Sequence, residues 1–108
     1  MKIFKRKDFI NLPAETLFSF YCPASFDGLM IKTTSGGDDF NCDDIVGAIE
    51  NISTSDFFDK CEVMESGVSV PMDFDNTGRD GFFDEDQLYA VYEKEDVKKL
   101  IDRLQRCL

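Results

Sequence analysis

The chain has no histidine and no tryptophan, and only three prolines. Without histidine there is no imidazole general base and no conventional Ser-His-Asp triad. The phosphate-cradling GxxxxGK[ST], the dinucleotide-binding GxGxxG and the hydrolase GxSxG patterns are also missing. Carboxylate pairs are abundant, but twenty-two acids in 108 residues produce such pairs by chance. An enzyme is therefore not expected, and neither is a cofactor.

Long apolar runs are equally scarce. None approaches the roughly 20 residues of a membrane helix. The basic start, Met1-Lys-Ile-Phe-Lys-Arg-Lys-Asp8, is not followed by the apolar stretch of a signal peptide. Four cysteines, Cys22, Cys42, Cys61 and Cys107, are widely spread and form no CxxC pair, so zinc-ligand spacing is absent. With no export signal, free thiols and a cytoplasmic location are the expectation.

Positive charge is rare in the middle of the chain. The formal net charge is −10, but residues 1–7 carry +4 and residues 94–108 carry +2, so residues 8–93 carry −16. From Gly36 to Asp86, fifteen acids face only Lys60 and Arg79, and eleven of the fifteen are aspartates. Such a body repels nucleic acid and anionic membrane and attracts a cationic partner. The plain alternative is acidity that only keeps the chain in solution.

What is present is enough for a fold. Apolar residues make up 43% of the chain, including eleven phenylalanines, so one domain with a packed core is expected over residues 1–108. Lys5–Asn11 predicts a short helix that stops before Pro13. Thr16–Cys22 and Gly28–Thr34 predict two strands joined as a hairpin through Pro23–Asp27, with Leu29, Ile31 and Thr33 on one face. A short helix capped by Asp43 or Asp44 would bury Ile45, Ala48, Ile49 and Ile52. A second, capped by Thr54 or Ser55, would turn Phe57, Phe58, Cys61 and Met64 inward and end at Gly67. Ser69–Phe74 reads as an edge strand interrupted by Pro71. Gln87–Glu93 is the strongest strand pattern, and residues 95–108 the strongest helix. That helix should bury Leu100, Ile101 and Leu104 against the sheet. The fold class expected is α+β, a mostly antiparallel sheet of three to five strands packed by two to four helices.

Three constellations compete for function. The stretch Asp73 to Asp84 imitates a calcium loop, with acids at positions one and three and glycine at six. It fails at position eight, Asp80, and at position twelve, Asp84. No metal is therefore expected, and a turn is favoured there. The second constellation is the acid display: Asp38, Asp39, Asp43, Asp44, Asp73, Asp75, Asp84, Glu85 and Asp86. In a strand, i and i+2 carboxylates stand about 6.6 Å apart on one face, so Asp73/Asp75 and Asp84/Asp86 would imitate successive phosphates. The third is aromatic. In the pairs Phe57-Phe58 and Phe82-Phe83 one ring tends to face outward, and Phe82 rimmed by acids would anchor a partner.

In size, acidity and lack of catalytic residues, the chain resembles small phage-encoded proteins that inhibit host defence by occlusion, a likeness of general character with no diagnostic motif. The leading expectation is a stoichiometric binding protein whose acidic surface occupies the basic site of a protein that handles nucleic acid. A calcium- or small-ligand-binding module using residues 73–86, or a structural subunit of a larger assembly, are the alternatives.

Overall fold

Six strands form one antiparallel sheet, ordered β1-β6-β2-β3-β4-β5, in a computed structural model that describes all residues Met1–Leu108. The strands are β1 (Lys2–Lys5), β2 (Thr16–Cys22), β3 (Ser25–Gly36), β4 (Asp39–Asp44), β5 (Thr77–Arg79) and β6 (Leu88–Val91). Three helices accompany them: α1 (Arg6–Phe9), α2 (Thr54–Glu65) and α3 (Lys94–Gln105). The sheet thus has one strand more than the upper expectation, while the α+β class and the antiparallel pairing agree with it.

The β2–β3 hairpin is tighter than expected. Cys22 pairs with Ser25, so only Pro23 and Ala24 turn the chain. Proline presets the first turn position, and Ala24 takes the left-handed conformation at φ 60°. Alternation along the strands then sends Phe18, Phe20, Met30, Tyr89 and Val91 to one face of the sheet. The single turn of α1 lays Phe9 over that face. Phe9 stacks on Tyr89 with ring centroids 4.0 Å apart, and its edge contacts reach Phe18 at 4.7 Å and Phe40 at 5.1 Å. Phe9, Phe18, Phe40, Tyr89 and Val91 form the core cluster. Lys32 shares this face, is almost fully buried, and donates from Nζ to the Leu12 carbonyl at 2.7 Å.

Several expectations are corrected. Lys5–Asn11 is not one helix: its start completes β1, and only Arg6–Phe9 is helical. The helix expected to be capped by Asp43 or Asp44 does not form. Those aspartates end β4, which β3 recruits through Met30↔Asp44 and Ile31↔Asp43, and the chain then turns at Gly47, φ 74°. Ser69–Phe74 contributes only a bridge between Met72 and Ile49. The α2 helix is present, but Ser53 is its cap, accepting from the Asp56 amide at 3.1 Å.

The largest difference concerns packing on the opposite face. Val97 and Leu100 of α3 are half-buried, while Ile101 and Leu104 are 50% and 61% exposed. The amphipathic stripe is real, but the sheet beneath it is too short to cover its second half. No residue of α2 is buried either. No helix is long and apolar enough to cross a membrane.

Candidate functional site

The acidic residues do not form one surface; one group of them, Asp38, Asp39 and Asp80, surrounds the buried Arg6. Arg6 opens α1 directly after β1, so its side chain runs under the segment between β5 and β6. Its Nη1 donates to Asp80 at 3.0 Å and to the Tyr89 hydroxyl at 2.9 Å, and its Nη2 donates to the Asp38 carbonyl at 2.7 Å. Asp39 stands 3.7 Å from the same guanidinium, and Arg79 closes the group with a 2.9 Å ion pair to Asp39. Burial works against the Arg6 charge, but the bonds to Asp80 and Tyr89 outweigh it and raise its pKa. For Asp39, burial pushes upward. The amides of Gly81 and Phe40, with Arg79 and Arg6, outweigh it and hold the carboxyl below its ordinary value.

This cluster fixes the loop from Asp80 to Gln87. Gly81 and Phe83 both take left-handed conformations, at φ 68° and 52°. Glycine does so freely, whereas a phenylalanine there is strained by about 1 kcal/mol or more. The Phe83 ring lies over both guanidiniums, 5.9 Å from Arg6 and 5.8 Å from Arg79, which compensates in part. Beyond it, Asp84 Oδ1 accepts from the Asp86 amide at 3.0 Å, and Gln87 ties the loop end to the Tyr21 carbonyl at 3.1 Å. Phe82 is left 80% exposed.

A cavity of about 650 Å³ opens beside this loop, lined by Phe20, Phe82, Tyr89, Asp27, Asp84 and Gln87, with the Arg6–Asp80 pair beneath. Asp80 is spent on Arg6, so Asp27 and Asp84 supply the uncommitted negative charge, and the aromatic rings supply π faces. Such a lining suits an ammonium or guanidinium group.

The sequence-derived residues fall in different places. Asp38, Asp84, Glu85, Asp86 and Phe82 are exposed around the Arg6 cluster. Asp39 is not available to a partner, being buried and paired with arginine. Asp43 and Asp44 lie apart at the end of β4, and Asp73 and Asp75 in the segment before β5. Asp43 accepts from the Thr77 hydroxyl, and Asp44 and Asp73 line a separate recess of about 250 Å³ with Phe57. The strand geometry proposed for Asp73/Asp75 and Asp84/Asp86 is overturned. Neither pair lies in a strand, and in each the first carboxylate accepts the amide of the second, at 3.0 Å in both cases. These are aspartate turns, with no regular phosphate-like spacing. Within the calcium-like stretch, Asp73 and Asp84 each accept a backbone amide and Asp80 pairs with Arg6.

Asp27, Phe20, Tyr89 and Arg6 were not singled out from the sequence. The four cysteines are unbonded, and burial, followed by the charges of Asp80, Asp43, Asp44 and Asp39, raises the Cys42 thiol to about 11. Comparisons with protein-family models, with curated proteins and with solved structures found no match.

Proposed function

We propose that this protein is a cytoplasmic, non-enzymatic, stoichiometric binding protein that occupies the basic site of a protein handling nucleic acid. The observation that carries the reading is the cavity beside the Asp80–Gln87 loop. Two carboxylates that pair with no arginine or lysine, Asp27 and Asp84, and three aromatic rings border it, and an exposed Phe82 stands at its mouth. A lysine or arginine of the partner enters this cavity, and Phe82 packs beside it as the apolar anchor. Asp38, Glu85 and Asp86 form the charged rim, which accelerates encounter more than it tightens the complex. The loop is held by Arg6 before the partner arrives, so little ordering entropy is lost on binding. Occlusion by charge, without a phosphate-like repeat, is the mode this geometry supports.

The test begins with isolation of the host partner on immobilised protein, followed by association kinetics across salt and competition with nucleic acid. Asp27→Asn together with Asp84→Asn should weaken binding at least about tenfold, and Phe82→Ala by a similar factor. Charge reversal at Glu85 and Asp86 should slow association and flatten its salt dependence. A complex indifferent to all three changes, or one that nucleic acid does not displace, would remove the reading.

A further inference from the structure

Residues directly opposed on antiparallel strands share a face of the sheet. Phe20 of β2 is opposite Asp27 of β3 on one side and Tyr89 of β6 on the other, and all three line the cavity beside the Asp80–Gln87 loop. This row sets a carboxylate at the edge of an aromatic floor, with the Phe20 and Tyr89 rings 5.7 Å apart. Phe82 and Asp84 come to the same cavity from the loop.

Hydrogen bonding within the chain leaves acceptors facing this space. The Gln87 side-chain amide donates to the Tyr21 and Leu88 carbonyls, at 3.1 and 2.7 Å, so what it offers the cavity is Oε1. Asp84 commits Oδ1 to the Asp86 amide and keeps Oδ2, and Asp27 is exposed. The Arg6 guanidinium beneath does not repel an incoming cation, because Asp80 at 3.0 Å and Asp39 at 3.7 Å offset its charge.

We propose that this cavity selects a guanidinium group, so that the side chain entering it is an arginine and not a lysine; that the group comes from a protein partner rests on the occlusion reading above. A cation suited to this lining must lie flat on an aromatic ring and send N–H groups sideways to several oxygens. A guanidinium is planar and carries five donors in a fixed fork. An ammonium is a compact tetrahedral charge with three donors, and a quaternary ammonium has none. The chain uses the same combination beside the cavity. The Arg6 and Arg79 guanidiniums lie 5.9 and 5.8 Å from the Phe83 ring while their N–H groups reach Asp80 and Asp39. In the cavity, Phe20 and Phe82 supply the rings, and Asp27, Asp84 and Gln87 supply the oxygens.

The test titrates three probes in turn into the isotope-labelled full chain: a blocked arginine amide, the matching blocked lysine amide, and tetramethylammonium. Backbone amide resonances report the site. The arginine probe should give saturable shifts at Asp27 and residues 82–87 with a Kd of about 1 mM, and the lysine probe should bind at least about tenfold more weakly. Asp27→Asn should erase most of that preference, as should Phe20→Leu, which removes a stacking ring. If Phe20→Leu fails to fold, Asp27→Asn at its exposed position decides alone. Equal affinity for the arginine and lysine probes, tighter binding of tetramethylammonium, shifts confined to other residues, or no saturable shift overturns the proposal. So does an arginine preference that survives Asp27→Asn. The host partner separates this from the occlusion reading. If the probes discriminate as expected but the partner ignores Asp27→Asn and Asp84→Asn, the cavity holds a free guanidinium compound and only the occlusion reading falls. If the partner responds to those variants while the arginine and lysine probes bind equally, only the selectivity falls.

Discussion

Replacing Arg6 with methionine tests the construction of the acidic site most directly. Methionine keeps much of the aliphatic stem and its packing near Phe40, and removes only the charge and its donors. The Arg6 side chain is 6% exposed and that of Asp80 is 2% exposed, so the substitution strands a carboxylate away from water. Breaking a buried pair in this way costs about 3–5 kcal/mol. The Tyr89 hydroxyl and the Asp38 carbonyl lose their donor as well. Against a total stability of about 5–15 kcal/mol, that is a large share. With a urea m-value of about 1.5 kcal/mol/M, the unfolding midpoint should fall by roughly 2–3 M. The Arg6→Met, Asp80→Asn double variant should recover much of the loss, with a coupling of about 2–3 kcal/mol, because no charge is then stranded. Arg79→Met, at a residue whose side chain is 68% exposed, should cost less than about 1 kcal/mol. A midpoint shift under about 0.5 M for Arg6→Met, or strict additivity with Asp80→Asn, would refute the reasoning.

The remaining predictions are narrower. Burial lowers the Lys32 pKa, so the unfolded chain binds the extra proton, and stability gains as pH rises through the window ending at the ordinary value of 10.5. The stability difference between wild type and Lys32→Met should therefore shift in favour of wild type as pH rises across that window; urea titrations that find no pH dependence would contradict it. Cys42, with its thiol raised to about 11, should be the last of the four cysteines to react with a thiol reagent at neutral pH, while exposed Cys22 and Cys107 react first. Phe82→Ala should change the unfolding free energy by less than about 0.5 kcal/mol despite its effect on binding, measured on the same preparation. Leu104→Ala, at a side chain 61% exposed, should cost far less than Phe18→Ala, for which about 3–5 kcal/mol is expected; equal midpoint shifts would contradict the loose packing of α3 on the sheet.

The sequence by itself determined the elements whose cause is local. Aromatic content, bounded for β2 by Pro13 and Pro23, marked β2 and β6, Gly67 stopped α2, and the Val97-Leu100-Ile101-Leu104 spacing with early acids defined α3. It also determined the charge, because ionisation depends little on where the chain goes. Tertiary structure decided what local pattern does not encode. DFNCDD in β4 has little strand propensity, and it is extended because β3 and β5 supply partners on both sides. Lys2–Lys5 and Thr77–Arg79 lie at the two sheet edges and are extended because a single neighbour, β6 or β4, pairs with each. The amphipathic stripe of α3 predicted burial correctly in direction but not in amount, because the extent of the sheet beneath it is a property of the whole fold. Above all, sequence position separated a basic N-terminus from an acidic middle, whereas the fold placed Arg6 under Asp80 and Asp39. The count of acids could not tell which were free. Asp39 and Asp80 neutralise buried arginine, and Asp27, outside the acid-rich stretch, joins Asp84 at the cavity because β2 pairs with β3 on one side and β6 on the other, setting Phe20 opposite both Asp27 and Tyr89.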